Sequence, residues 1–330
     1  MRLSFRKFLF YIFLPCLTIF LFQTYLPSSF IPSRAIVYTI KPGMSYQHIA
    51  RDLKDKKIIR STLFFELYVL ASQTYSKLQA GKYYVSSNLT VAQIVDQFKR
   101  GDVAREQLLI VPGWTLKNIA QYLENHTFAS QEDFFSVASQ EYKDEFNFLG
   151  SKPKKLNLEG YLFPDTYYVT ERDTVKDLII AMLTNFDKKL TPDVRIAIAA
   201  QHKSIFQIIT MASILEKEVR TLQDKKIVSG ILWKRLSNGM PLQVDATLNY
   251  ASDSRSSFST KVAQDSPYNT YKYTGLPLGP ISNPGMDSIL AAVYPKKSNY
   301  WYYLSARKTG KTIFSTTFLE HQSASVQYLK

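Results

Sequence analysis

The residues Ile205 to Leu222, IFQIITMASILEKEVRTL, constrain the fold more than any other stretch of the chain. Plotted at about 100° per residue, Ile205, Ile208, Ile209, Ala212, Leu215 and Val219 make one stripe, while Phe206, Met211 and Ile214 fill other faces. A helix that is apolar nearly all round is a buried helix. The rest of the chain must therefore pack around it, and Glu216 and Glu218 must each find a partner or shift pKa.

The two glutamates differ in their helical neighbours. Glu216 has Arg220 four residues on, the favourable orientation for an ion pair, which predicts an ionised, structural carboxylate. Glu218 has Ile214 and Leu215 one turn back, Thr221 and Leu222 one turn on, and no cation among them. Desolvation without a compensating charge raises a carboxyl pKa, and an acid still protonated near neutral pH can act as a general acid. The segment alone leaves a second reading open, in which Glu218 points to solvent at a helix end.

Ahead of this lies a nearly charge-free apolar run, residues 8–26, of the length a bilayer requires, preceded by Arg2, Arg6 and Lys7. The basic flank predicts an amino terminus in the cytoplasm and export of everything after about residue 27. A cleaved signal peptide begins in the same way, but PSSFIPSR offers no A-x-A site, so the expectation is an uncleaved anchor. Cys16 is the sole cysteine and sits within the run, which excludes an internal disulfide and a thiol nucleophile in an exported domain. The four histidines, His48, His126, His202 and His321, lack ligand spacing and read as surface residues, so no metal site is expected. A net charge of +14 suits an anionic partner. For an exported chain that partner class is a carboxylate-rich wall polymer or the membrane face, not nucleic acid.

Residues 27–35 read as a linker with two prolines and three serines. The pattern of a short apolar strand, a Pro-Gly turn and a capped helix then appears at Ile36–Ile59 and returns at Leu108–Phe128. A variation lies between them in GKYYVSSNLTVAQIVDQFKRGD, with Asn88 or Thr90 as the cap. YTIKPGMSYQHIA in particular resembles the LysM module, a βααβ unit that binds N-acetylglucosamine in glycans; a plain structural spacer has the same pattern. Lys82, Tyr83 and Tyr84 are candidates for a sugar-stacking surface, although aromatics in a strand also serve as core. The turn-rich basic stretch from Gly150 to Lys155 is the expected domain boundary.

Beyond it the sequence is dense in motifs. LEGYLFPDTYYV holds Glu159 and Asp165 among aromatics; MPLQVDATLNYA alternates Gln243, Asp245, Thr247 and Asn249 with apolar residues and reads as a half-buried strand. The stretch Ser266 to Gly285 is too rich in Pro and Gly for a regular element, and loops of that length tend to be functional. LEGYLFPDTY, ASILEKEV, LQVDAT, YNTY at Tyr268 to Tyr271 and GLPLGPISNPG, in this order, resemble the YceG-like family of endolytic murein transglycosylases. The likeness covers essentially the whole chain. Leu278 stands where the family often has a second Pro, and Thr312 where a His is common.

The resemblance implies that Glu218, the second glutamate of E-K-E, is the catalytic acid and base, with Glu216 as a supporting carboxylate. Gln243, Asp245, Asn269, Tyr271 and Glu159 are implied around the substrate. It also implies cleavage of the β-1,4 bond between N-acetylmuramic acid and N-acetylglucosamine in peptidoglycan, without water, metal or cofactor; the anchor, which keeps the cutter near the bilayer, adds the expectation of newly made strands and of wall synthases as partners. Two other classes stay open: a non-catalytic glycan-binding scaffold, and a hydrolase pairing Glu218 with Asp165, Glu159 or Asp245. The expected architecture is an α+β chain. It comprises a cytoplasmic tail 1–7, a transmembrane helix 8–26, a linker 27–35, a LysM-like glycan-binding region 36–150 and a mixed α+β catalytic domain 151–330 with a buried glutamate helix.

Overall fold

The structure is a computed structural model; it describes residues 5–31, 33–252 and 256–329, with side chains from residue 13 onward. Two compact units result: Met1–Glu106 with Tyr168–Arg172, and Gln107–Tyr167 with Asp173–Lys330.

The first unit contains α1 (Phe5–Tyr25), β1 (Ile36–Ile40), α2 (Tyr46–Asp55), α3 (Thr62–Ala71), β2 (Gly81–Val85) and α4 (Val91–Arg100). Helix α1 occupies the run expected to span a bilayer. Among the described residues no helix is long and apolar enough to cross a membrane, and the side chains of residues 8–12 lie outside them. After α1 the order is strand, helix, helix, strand, with β1 and β2 antiparallel and Tyr38 opposite Tyr83. The helix starts follow from their caps. The Ser45 hydroxyl accepts from the His48 N–H, and Thr90 forms a reciprocal capping box with Gln93. Ile49, Leu53, Phe65, Ile94 and Phe98 make the core. Strand alternation divides the proposed aromatic surface: Tyr83 is buried against Phe98, Tyr84 is exposed, and Lys82 pairs with Glu171 at 3.0 Å.

The second unit contains β3 (Glu106–Leu109) from its second residue on, α5 (Leu116–Asn125), α6 (Gln131–Ala138), a 3-10 turn (Asn147–Ser151), the first half of β4 (Thr166–Val169), α7 (Val175–Lys189) and α8 (Pro192–Ala200). These are followed by α9 (Ile205–Glu218), α10 (Leu222–Ser237), α11 (Asp245–Ala251), α12 (Phe258–Ala263), α13 (Met286–Val293), β5 (Tyr302–Ser305), β6 (Thr312–Ser315) and α14 (Phe318–Tyr328). Strand β3 pairs with β4 and β5 with β6. Helix α9 is the axis of the unit: every residue from Ile208 to Leu215 is buried, and α8, α10, α11 and α13 pack on it.

Three expectations are corrected. The boundary placed at Gly150 to Lys155 lies inside the second unit, where Phe148 and Leu149 are buried, and the second strand-turn-helix copy belongs to that unit too. The helix expected over 205–222 ends at Glu218, because Val219 is extended and Thr221 caps a new helix by accepting from the Asp224 N–H. Residues 245–251 form helix α11, not a strand; their alternation also places Thr247 and Leu248 inward and Asn249 outward on a short helix.

The Pro- and Gly-rich stretch carries no regular element before α13, yet it is tied down. Its Ile281 N–H donates to the Ser213 hydroxyl at 3.0 Å, and the Ser282 hydroxyl to the Ser213 carbonyl at 3.1 Å. Gly160, at φ +90°, lets LEGYLFPD approach so closely that a Cβ there would stand 2.5 Å from Pro280.

Candidate active site

Helix α9 ends with a carboxylic acid, Glu218, on its last residue. The break at Val219 turns the chain away and leaves that side chain at the rim of a cavity of about 490 Å³ in the second unit. Its surroundings come from distant sequence. From β5, the Tyr303 hydroxyl donates to Glu218 Oε2 at 3.1 Å, and the Ser305 hydroxyl donates to the Glu218 carbonyl at 3.2 Å. The Ala246 N–H at the start of α11 also reaches the carboxylate.

Burial pushes the Glu218 carboxyl up to about 7, with the Asp245 charge adding to the rise; the Tyr303 hydroxyl and the Ala246 N–H pull the other way. A position at a helix C-terminus, the negative end of the dipole, also disfavours the charged form. Glu218 is half-buried by solvent access, so this desolvated acid remains within reach of a ligand in the cavity. Burial, together with the Glu218 charge, raises Tyr303 well above its ordinary value, so it stays a proton donor.

Asp245 and Gln243 share the cavity, and Tyr271 completes that wall, its hydroxyl donating to Asp245 Oδ1. Gln243 holds φ at +54°, a left-handed conformation that costs a non-glycine residue on the order of 1–3 kcal/mol. Its N–H donates to the Thr270 carbonyl at 3.0 Å, and the Val244 N–H to the Thr270 hydroxyl at 3.0 Å, so YNTY clamps LQVD in place. Asn269 does this work from the inside. It is 1% exposed, its amide donates to the carbonyls of Val262 and Gln264, and its oxygen accepts from the N–H groups of Tyr271 and Lys272. Asn269 therefore shapes the loop that carries Tyr271 and does not line the cavity.

Glu216 does not pair with Arg220, because Arg220 follows the break and is not on the helix. The Lys225 ammonium donates to its Oε1 at 3.0 Å, and Oε2 accepts from the Gly285 N–H at 2.9 Å and the Ser288 hydroxyl at 2.7 Å. It fixes α10 and the start of α13 to α9. Glu159 is likewise structural: it accepts from the Leu116 N–H, the Tyr250 hydroxyl and the Asn283 amide, and burial pushes it up to about 7. Between about pH 4.5 and 7 the folded chain thus keeps protons on Glu159 and Glu218 that an unfolded chain has released, so both groups cost stability as pH rises through that window. Asp165 is held by Asn185 at 2.9 Å and lies below its ordinary value through that hydrogen bond. Of the three candidate partner carboxylates, Asp245 alone shares the cavity with Glu218.

Arg235, Tyr302, Tyr303 and His321 also line the cavity, and sequence reading assigned none of them a place there. His321, expected at the surface, is half-buried, its ring stacked on Tyr302 at 5.3 Å. No local pattern marks these residues, since strand β5 and helix α14 reach Glu218 only by long-range packing.

Comparison with known proteins places the chain. A family model described as the YceG-like family matches residues 38–327. The chain is 32% identical over 303 residues to the endolytic murein transglycosylase of Bacillus subtilis strain 168, covering 88% of this chain and 84% of that protein. It is 28% identical over 331 residues to the protein of the same name from Streptococcus pneumoniae D39, covering 92% of this chain and 60% of that protein. The 2.6 Å crystal structure of a putative YceG-like protein from Listeria monocytogenes matches with a TM-score of 0.60 at 34% identity, covering 88% of this chain and 99% of that one. A match that takes in helix α9, the clamped loops and the β5–β6 hairpin shows that this chain belongs to the YceG-like family.

Proposed function

We propose that the chain is a lytic murein transglycosylase that cuts glycan strands of new peptidoglycan internally, with Glu218 as its acid and base. One observation carries the reading: a carboxyl raised to about 7 at the end of a buried helix, held by Tyr303 and facing a roomy cavity. The names of the curated relatives support the reaction class.

Protonated Glu218 donates to the glycosidic oxygen as the bond from that oxygen to C1 of the muramyl residue breaks. The resulting carboxylate takes the proton of the same residue's C6 hydroxyl as O6 bonds to C1. The glutamate ends protonated, water is not consumed, and a 1,6-anhydro end remains. The nucleophile belongs to the substrate, so one acid suffices where a hydrolase needs two carboxylates. Residues 8–26 anchor the chain in the cytoplasmic membrane with its amino terminus inside, as the flanking Arg2, Arg6 and Lys7 suggest. The first unit binds glycan as a LysM-like module, and the anchor confines cutting to strands near the bilayer, beside the wall synthases.

The test is to digest purified glycan strands with the full chain reconstituted in vesicles and to weigh the products. Ends lighter by one water support the reading; water-added reducing ends would establish a hydrolase, and intact glycan a scaffold. Activity should fall as pH rises through about 7, because the proton that the first step needs is then lost. Tyr303→Phe removes a donor to the carboxylate. The alkaline limb is expected to move up on the order of one pH unit, with kcat down roughly tenfold as the carboxyl loses its fixed orientation. A limb that stays in place while kcat falls would assign Tyr303 to packing alone.

A further inference from the structure

We propose that Arg235 and His321 form a subsite for a carboxylate of the substrate, on the wall of the cavity that faces α14. The inference rests on the glycan reading of the cavity and goes further by naming the group that this wall takes.

Arg235 closes α10 and is 5% exposed. Its Nε and Nη2 groups donate to the Trp301 carbonyl at 2.9 and 2.7 Å, and Nη1 to the Leu242 carbonyl at 2.8 Å. That uses three of the five N–H groups of a guanidinium. Among the described residues no carboxylate forms an ion pair with it. The groups around it are the phenols of Tyr271, Tyr302 and Tyr303, with the Tyr302 ring 5.2 Å from the guanidinium carbon. A cation taken out of water and met only by carbonyl dipoles and rings is incompletely compensated, and a ligand anion is what would complete it. The planar fork matches a carboxylate best.

His321 is an independent sign that something is to be received here. Its Nδ1 is buried and has no hydrogen-bond partner, although its ring is fixed against Tyr302. Burial and the Arg235 charge lower its pKa, so the imidazole is neutral at pH 7 and does not repel a cation beside it. In the tautomer that carries its proton on Nδ1, a small rotation of the ring off Tyr302 brings this N–H to a ligand oxygen in the cavity. Both groups border the cavity that holds Glu218. A muramyl glycan carries the matching chemistry in two places: the lactyl carboxylate of a bare strand, and the carboxylates of a peptide stem.

The experiment measures KM and kcat of the full chain for bare strands with the lactyl carboxylate intact and for the same strands with it reduced to an alcohol. Cleavage reads this cavity and not glycan held by the first unit. Reduction is expected to raise KM about tenfold with kcat within threefold, and the effect should shrink to within twofold in Arg235→Gln and lessen in His321→Phe, which keeps the stacked ring. Because Arg235→Gln loses three bonds to backbone carbonyls and can fail to fold, the substrate comparison and His321→Phe stand without it. Stem-bearing strands form the second arm: a KM that rises when only stem carboxylates are reduced assigns the subsite to the stem. Equal KM values for every intact and reduced pair would overturn the subsite. If no strand is cut, the transglycosylase reading fails by itself; Glu218→Gln then reports on the subsite through its affinity for the same pairs, and equal affinities overturn it.

Discussion

Glu218→Gln in the full chain is expected to lower the formation of anhydro ends by about 10²–10⁴-fold, the range spanned by a positioned proton donor, while leaving the fold intact. The amide keeps the shape of the carboxyl and can still accept from Tyr303 and the Ala246 N–H, but it has no acidic proton to give the leaving oxygen. Above pH 7 the variant should unfold at the same temperature as the parent or slightly higher, because a carboxylate held in a desolvated site has been removed. Product weighing together with thermal unfolding checks both halves. Asp245→Asn supplies the contrast. The Asp245 charge helps to raise the Glu218 carboxyl, so its removal should move the alkaline limb down while anhydro ends still form. Complete loss of cutting in Asp245→Asn, with Tyr271 and the loop in place, would instead support a two-carboxylate hydrolase. Full activity of Glu218→Gln would remove Glu218 from the chemistry.

That Glu218 is desolvated was legible in the sequence, but only half of the neighbours that argue for it lie on its helix. Ile214 and Leu215 do lie one turn back on α9, whereas Thr221 and Leu222 are beyond the break. The apolar period continues through Val219, and a periodicity argument follows it past the end of the helix. The signal that opposes it is the capping pattern of Thr221 three residues before Asp224. The hydroxyl that holds the buried carboxyl and offsets part of its rise comes from Tyr303, 85 residues on in a hairpin whose sequence shows only a run of aromatics. Arg235 was hidden in the same way: on α10 it is one basic residue in a last turn, and only the carbonyls of Trp301 and Leu242 draw it inside. Strand, turn and helix signals governed by local caps were readable at Ser45, Thr90 and Thr115. Where the chain divides was not, because the burial of Phe148 and Leu149 is decided by partners that no local pattern reveals.

Glu216→Ala is expected to be the most destabilising change among the carboxylates discussed, with a loss of about 3–5 kcal/mol, as when one member of a buried ion pair is removed. The side chains of Lys225 and Glu216 are 6% and 12% exposed, so the ammonium would be left in a dry site without its partner. The Gly285 N–H and the Ser288 hydroxyl would also lose their acceptor at the start of α13, the helix packed along α9. For a unit of this size the midpoint of thermal unfolding should fall by roughly 6–20 °C. Glu216→Gln with Lys225→Met should recover much of the loss, because replacing both charges leaves none unpaired. At temperatures where it is folded, that double variant should cut glycan within a few-fold of the parent and keep its alkaline limb near pH 7. A limb that moved in the double variant would mean that the Glu216–Lys225 pair is coupled to the Glu218 carboxyl. The structure argues against coupling: Glu216 turns its oxygens to Lys225, Gly285 and Ser288, and Glu218 turns its own to Tyr303. Two residues apart at the end of one helix, they face different partners, so stability should follow the first and acidity the second.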